Sequence, residues 1–173
     1  MGNPIWENIE LKKRGLRENI TKVLTNIPIF CELSSKELKE VVKIVYRREY
    51  KAEEPIFRKN DPGLGMYIIE SGSVEIVNGS NEEERQLAVL EGGSFFGDLS
   101  LLDESPRSAS ALALADCQII GFFRPDLLDM LNRKPKLGIK ILFALAKVVG
   151  ERLRRTNEKF AKVQNELKAL KNG

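Results

Sequence analysis

Residue types able to hold an anion and a hydroxyl fall close together in one stretch: Gly97, Asp98, Arg107 and Ser108. Arginine offers a planar fork of N–H donors that suits phosphate or carboxylate oxygens. Asp98 is an acceptor for a hydroxyl, and Ser108 adds a hydroxyl of its own. Gly97 lets the backbone come close, and Leu99 to Asp103, if helical, would aim free backbone N–H groups at the same anion. This is chemistry for holding a molecule rather than converting one. The chain has no histidine, which removes the commonest general base and the commonest zinc ligand. No paired acid–base or metal-ligand constellation appears, so neither an enzyme nor a bound metal is expected.

The whole run Ser94-Phe95-Phe96-Gly97-Asp98-Leu99-Ser100-Leu101-Leu102-Asp103-Glu104-Ser105-Pro106-Arg107-Ser108-Ala109 resembles the phosphate-binding cassette of the cyclic-nucleotide-binding family. In that cassette Phe-Gly-Glu is followed by a small and an aliphatic residue, a variable turn, then Arg, a small or hydroxyl residue, and Ala. The resemblance implies a ligand site formed by Phe96, Gly97, Asp98, Leu99, Ser100, Arg107, Ser108 and Ala109. Arg107 and Ser108 would meet the phosphodiester and Asp98 the ribose 2′-hydroxyl. Asp98 stands where the family usually has Glu and is one methylene shorter. Loss of that charged hydrogen bond would weaken binding roughly ten- to a hundredfold.

Ile56 to Gly72 is similar to the family's first signature, with Met66, Tyr67, Ile68 and Ile69 as its four apolar residues. Asn60 replaces the usual Gly there, and Asn tolerates left-handed backbone. Arg155-Thr156-Asn157-Glu158-Lys159 resembles the helix of the catabolite-activator branch, in which a Thr-Ser pair reaches the adenine amino group. Thr156 and Asn157 are therefore implied base contacts. Cyclic AMP is the implied ligand, with cyclic GMP as the alternative. The sensor domains of catabolite activators and of protein kinase A regulatory subunits are the nearest resemblance.

The elements that must position these residues can be read from periodicity. Leu16, Ile20, Val23, Leu24 and Ile27 form one helical stripe that Pro28 ends, and Ile5, Trp6 and Ile9 extend it backwards if the helix is continuous. Ser34 or Ser35 can cap a second helix with Glu37 in its first turn. Strand-like bursts follow at 44–50, 55–58, 66–70, 73–77, 86–90, 108–114 and 117–123, with turns at Asp61-Pro62-Gly63, Ser71-Gly72, Asn78-Gly79 and Gly92-Gly93. A short helix begins at Pro125 and stops before Pro135, and a long one runs from Leu137 to Leu170, closed by Asn172-Gly173. The expected fold is α+β: an antiparallel β-roll, jelly-roll-like, flanked by N-terminal helices and a C-terminal B/C helix pair. The expected segments are 1–41 helical, 42–123 the β-roll with its cassette, and 124–173 the B helix and long C helix.

Leu153, Thr156, Phe160, Val163, Leu167 and Leu170 alternate steps of three and four, a heptad seam. A homodimer through 137–171 is expected, against the alternative of a helix folded back on its own barrel. From Arg124 onward 13 Lys and Arg face 5 Asp and Glu, which reads as the solvated face of a coiled coil or as an anionic-surface contact.

No apolar run approaches the length of a membrane span or a signal peptide, so no membrane insertion and a cytoplasmic location are expected. Cys31 and Cys117 read as reduced apolar fillers. The chain ends with the long helix, so a DNA-binding domain is not expected. The function expected is a non-enzymatic cyclic-nucleotide sensor signalling to an effector protein that the sequence does not identify. Its rival is a decayed cassette serving as a ligand-independent dimeric scaffold.

Overall fold

The computed structural model describes residues 7–8, 14–78 and 85–171. Ile5, Trp6, Ile9, Gly79, Asn172 and Gly173, which figure in the expectations above, lie outside them. The element order is β1 (Glu7–Asn8), α1 (Arg14–Thr25), α2 (Ser35–Val42), β2 (Tyr46–Tyr50), β3 (Pro55–Phe57), β4 (Gly65–Ser71), β5 (Ser73–Asn78), β6 (Arg85–Glu91), β7 (Phe95–Phe96), a 3-10 turn (Asp98–Leu101), β8 (Ser110–Ala113), β9 (Cys117–Phe123), α3 (Arg124–Arg133) and α4 (Pro135–Lys171). Among the described residues the strands form two antiparallel sheets, ordered β1-β2-β9-β4-β7 and β3-β8-β5-β6. This is the β-roll with helices at both ends.

The central strands of the first sheet, β9 and β4, are buried on both faces, and their sequences show why. Successive side chains on a strand point to opposite sides. On β4, Met66 and Ile68 enter a core shared with the helices, while Tyr67 and Ile69 enter the interior of the roll. On β9, Ile120 and Phe122 take the helical side and Cys117 and Ile119 the roll side. A two-sided strand reads as a continuous apolar run rather than an alternating one.

Several boundaries differ from the expectation, each for a local reason. The burst at 44–50 loses its first residues because Ile44 donates to the Val41 carbonyl and closes α2. The burst at 108–114 begins only at Ser110, since Ser108 and Ala109 belong to the cassette loop. Strands β1 and β7, two residues each, are too short for any alternation to announce them. Cys31 is exposed rather than buried, whereas Cys117 is buried, and both are free thiols.

α4 is 37 residues long, about 55 Å. It buries Leu137, Gly138, Ile141 and Leu145, and every described residue from 151 onward is exposed. The helix therefore does not fold back on its own barrel. No helix of the described residues is long and apolar enough to cross a membrane.

The root of α4 is tied to the N-terminal helices by charge. Lys140 pairs with Glu37 at 2.7 Å, Lys134 with Glu40, and Lys147 lies 3.8 Å from Glu32. Glu37 also closes the α2 capping box, accepting from the Ser34 backbone N–H and hydroxyl, each at 2.8 Å. The Lys140 ammonium and the Ser34 donors hold its carboxyl down from 4.5 to about 2. A depressed carboxylate contributes its stabilisation fully above the unfolded value near 4.5 and loses it as pH falls through the folded one. Acid unfolding followed by circular dichroism should therefore show a loss of stability between pH 4.5 and 2 that Glu37→Gln makes shallower. Identical acid limbs for the two proteins would contradict this role.

Candidate ligand-binding site

Between the cassette and Arg152, midway along α4, lies a cavity of about 310 Å³. Of the ten expected site residues, Phe96, Gly97, Asp98, Leu99, Ser100, Arg107, Ser108 and Ala109 line it. Thr156 and Asn157 do not: both are exposed, and the Thr156 hydroxyl donates to the Arg152 carbonyl of its own helix. The residue of α4 that does reach the cavity is Arg152, one turn earlier. In the single chain, the turn of α4 that faces the cavity is therefore the one before Thr156 and Asn157. Phe57, Ile76, Asp103, Ser105 and Pro106 also line the cavity, and the first two come from β3 and β5, where no linear motif marks them.

Gly97 leads the chain from β7 into the 3-10 turn with φ 70°. A Cβ there would lie 2.6 Å from Arg107 Nη1 and 3.3 Å from the Gly65 carbonyl. Both its left-handed backbone and its lack of a side chain are needed at this contact. Asp98 and Leu99 then open the turn, where backbone N–H groups have no partner one turn back.

Arg107 is only 5% exposed. Its backbone is pinned to the β3–β4 loop, donating to Asp61 O at 2.9 Å and accepting from Asn60 N at 2.9 Å. Asn60 has φ 71°, the left-handed conformation that a Gly would ordinarily supply. The guanidinium donates from Nη1 to Gly97 O at 3.1 Å and Ser100 Oγ at 2.9 Å, and from Nη2 to Gly65 O at 2.7 Å. Its Cζ lies 4.2 Å from the centre of the Phe57 ring and 5.2 Å from that of Tyr67.

Burial is the largest influence on both Arg107 and Tyr67: it pushes the guanidinium down and the phenol up, and each opposes the shift of the other. Arg107 nonetheless stays charged, as arginine does in proteins. Its Nε–H is buried without a hydrogen-bond partner. Arg107 is therefore also part of the local structure of the cassette. Removing it would take a charged donor from the Gly65 carbonyl and the Ser100 hydroxyl, while the Gly97 carbonyl would keep the Ser100 N–H at 3.2 Å.

Asp98 is 2% exposed. Arg152 Nη1 donates to its Oδ1 at 2.5 Å, and the Arg152 guanidinium also stands 4.7 Å above the Phe95 ring. Oδ2 is buried and has no hydrogen-bond partner. The site thus presents one unpaired acceptor and one unpaired donor on a carboxylate and a guanidinium that line the same cavity. Among the described residues there is no cluster of three or more His, Cys, Asp or Glu able to hold a metal ion.

The sequence profile of the cyclic nucleotide-binding domain matches residues 47–134, just over half of the chain. A cyclic AMP receptor protein of Thermus thermophilus is 36% identical over 125 residues, covering 72% of this chain and 58% of that protein. The crystal structure of the Thermus thermophilus catabolite activator protein superposes with a TM-score of 0.70 at 34% identity, covering 79% of this chain and 63% of the other. The regulatory domain of Toxoplasma gondii PKA, crystallised with cAMP, gives 0.63 at 27% identity over 68% of this chain and 45% of that one. The chain spans less than two thirds of the length of each of these relatives. With the cassette, the roll and the profile all falling on the same residues, the chain belongs to the cyclic nucleotide-binding domain family.

Proposed function

We propose that this chain is a cyclic-nucleotide sensor, cyclic AMP being preferred to cyclic GMP, that works as a dimer and signals through its helices to an effector protein. The observation that carries the reading is one cavity lined by both Arg107 and Asp98, a buried guanidinium and a buried carboxylate that each keep one polar atom, Nε and Oδ2, without a hydrogen-bond partner. A cyclic nucleotide offers one partner for each: a phosphodiester anion for the guanidinium and a ribose 2′-hydroxyl for the carboxylate. The open N–H groups of the 3-10 turn and the exposed Ser108 hydroxyl add donors on the phosphate side. The preference for cyclic AMP is supported by relatives named for that nucleotide.

The single methylene that Asp98 lacks is compensated from the other side. Arg152 engages Oδ1 and leaves Oδ2 for the ligand. Arg152 belongs to α4, so the ligand's hydroxyl would join an ion pair that already links the cassette to the output helix. The same ion pair favours a second reading, a scaffold in which α4 is held by protein contacts alone.

The dimer is supported by α4. Leu153, Phe160, Val163, Leu167 and Leu170 are each more than half exposed in the single chain. Their three-four spacing continues backwards through Val149, Ala146, Leu142 and Ile139, all of which keep exposed or half-exposed surface. Thr156 lies within this seam, so its contact with a base is a matter for the paired helices.

Isothermal calorimetry should show saturable binding of cyclic AMP, weaker binding of cyclic GMP, and a loss of about ten- to a hundredfold with Asp98→Asn. No heat with either nucleotide would leave the scaffold reading. In sedimentation equilibrium the wild type should be dimeric at micromolar concentration. Phe160→Glu combined with Leu167→Glu should give monomers, because burying those charges costs several kcal/mol. A monomeric wild type would refute the dimer.

A further inference from the structure

We propose that Gly63, in the loop between β3 and β4, is a positioning residue for the anion site. The space that its missing side chain leaves is taken by the Ser100 hydroxyl, and through that hydroxyl the loop sets the Arg107 guanidinium. The proposal rests on the nucleotide-binding reading above and adds to it a residue that does not itself line the cavity. A Cβ at Gly63 would lie 2.4 Å from Ser100 Oγ, 2.6 Å from the Ser105 carbonyl oxygen and 3.0 Å from Ser100 Cβ. Its φ is not left-handed, so close approach, rather than backbone conformation, demands glycine here.

Which side would yield to a side chain follows from how each is held. The loop is pinned at both ends. Asn60 N donates to Arg107 O, Arg107 N to Asp61 O and Arg124 N to Leu64 O, each at 2.9 Å. A Cβ at Gly65 would lie 2.3 Å from the Phe122 carbonyl oxygen, so that end is seated against β9. The loop has no room to retreat, and the cassette has to move instead.

The two arms of the cassette that meet Gly63 are held differently. Ser105 is exposed, and its N–H and hydroxyl bond Asp103, two residues away, so this arm gives way locally. Ser100 is buried, and its hydroxyl accepts from Arg107 Nη1 at 2.9 Å. Together with Gly97 O and Gly65 O it fixes the plane of the guanidinium, which the Tyr67 side chain also hydrogen-bonds. Guanidinium donors form one rigid fork, so moving one acceptor re-aims the rest. Displacement on the Ser100 arm therefore reaches the cation, and displacement on the Ser105 arm does not.

The test is a pair of double-mutant cycles on Gly63→Ala and Ser100→Ala, one without ligand and one with cyclic AMP. In melting curves of the ligand-free protein, Gly63→Ala should lower the melting temperature, and lower it less where Ser100→Ala has removed the hydroxyl. In calorimetry Gly63→Ala should bind about tenfold more weakly than wild type, and Ser100→Ala, which takes one acceptor from Arg107, about threefold more weakly. In the Ser100→Ala background, Gly63→Ala should cost less than about twofold further. An equal cost in both backgrounds would overturn the proposal.

A glycine needed only for the fold would change stability and leave the bound anion's surroundings alone. The ³¹P resonance of cyclic AMP bound at saturation should instead move in Gly63→Ala and return to the Ser100→Ala position in the double variant. A resonance that Gly63→Ala leaves in place would contradict the positioning. If Gly63→Ala does not fold, the double variant should fold and bind within about twofold of Ser100→Ala, and its failure to fold would also count against the proposal. A wild type that binds no nucleotide would remove the function proposed above, and with it the site to be positioned, whatever the melting curves show. A wild type that binds, with an affinity indifferent to Gly63→Ala, would remove the positioning alone.

Discussion

The structure turns on one buried cation. Arg107 is a nearly inaccessible guanidinium held by two carbonyls, a serine hydroxyl and aromatic faces, with no carboxylate pairing to it among the described residues. A charge taken out of water without a counter-charge is costly, and it persists only where surrounding dipoles and hydrogen bonds offset the loss. The fold around it serves that end. The tight approach of Gly97, the left-handed turn at Asn60 and the backbone pins from Asp61 and Asn60 all converge on this one side chain. The residue is thus both a structural keystone of the cassette and the natural docking point for an anion.

A second charge links this point to the rest of the molecule. Asp98 sits in the same cassette, also buried, and among the described residues its carboxylate is held by Arg152 of α4. α4 is held at its root by lysines facing Glu32, Glu37 and Glu40, and at its middle by Asp98. Beyond that it is free of the body. On the proposed function, a ligand engaging Asp98 would act at the last tie before the exposed end of α4, which would couple ligand binding to helix pairing.

Much of this was legible in the sequence because it is local. The cassette is one uninterrupted stretch, and eleven of its residues line the cavity, the eight expected ones among them. The continuous apolar run of β4 and a serine cap with Glu37 in the first turn of α2 were equally visible, since each depends on neighbours within a few residues. The parts that were not legible are tertiary. Nothing in the linear order of Phe57, Tyr67 and Arg107 says that three segments will stack, and the burial of Arg107 follows from that stacking. Arg152 shows the remaining difficulty: the resemblance drew attention to Thr156 and Asn157 of α4, and no motif marked the residue one turn earlier that lines the cavity in the single chain. Which turn faces the cassette depends on how the root of α4 is seated by Leu137, Ile141 and Leu145.

The central claim is that an anionic ligand completes Arg107 and Asp98 together. A crystal structure with cyclic AMP tests it most directly. The account predicts a phosphate oxygen at hydrogen-bonding distance from Arg107 Nε and the ribose 2′-hydroxyl on Asp98 Oδ2, with Arg152 still on Oδ1. A nucleotide bound elsewhere, or bound here with both of those atoms left unpaired, would contradict it.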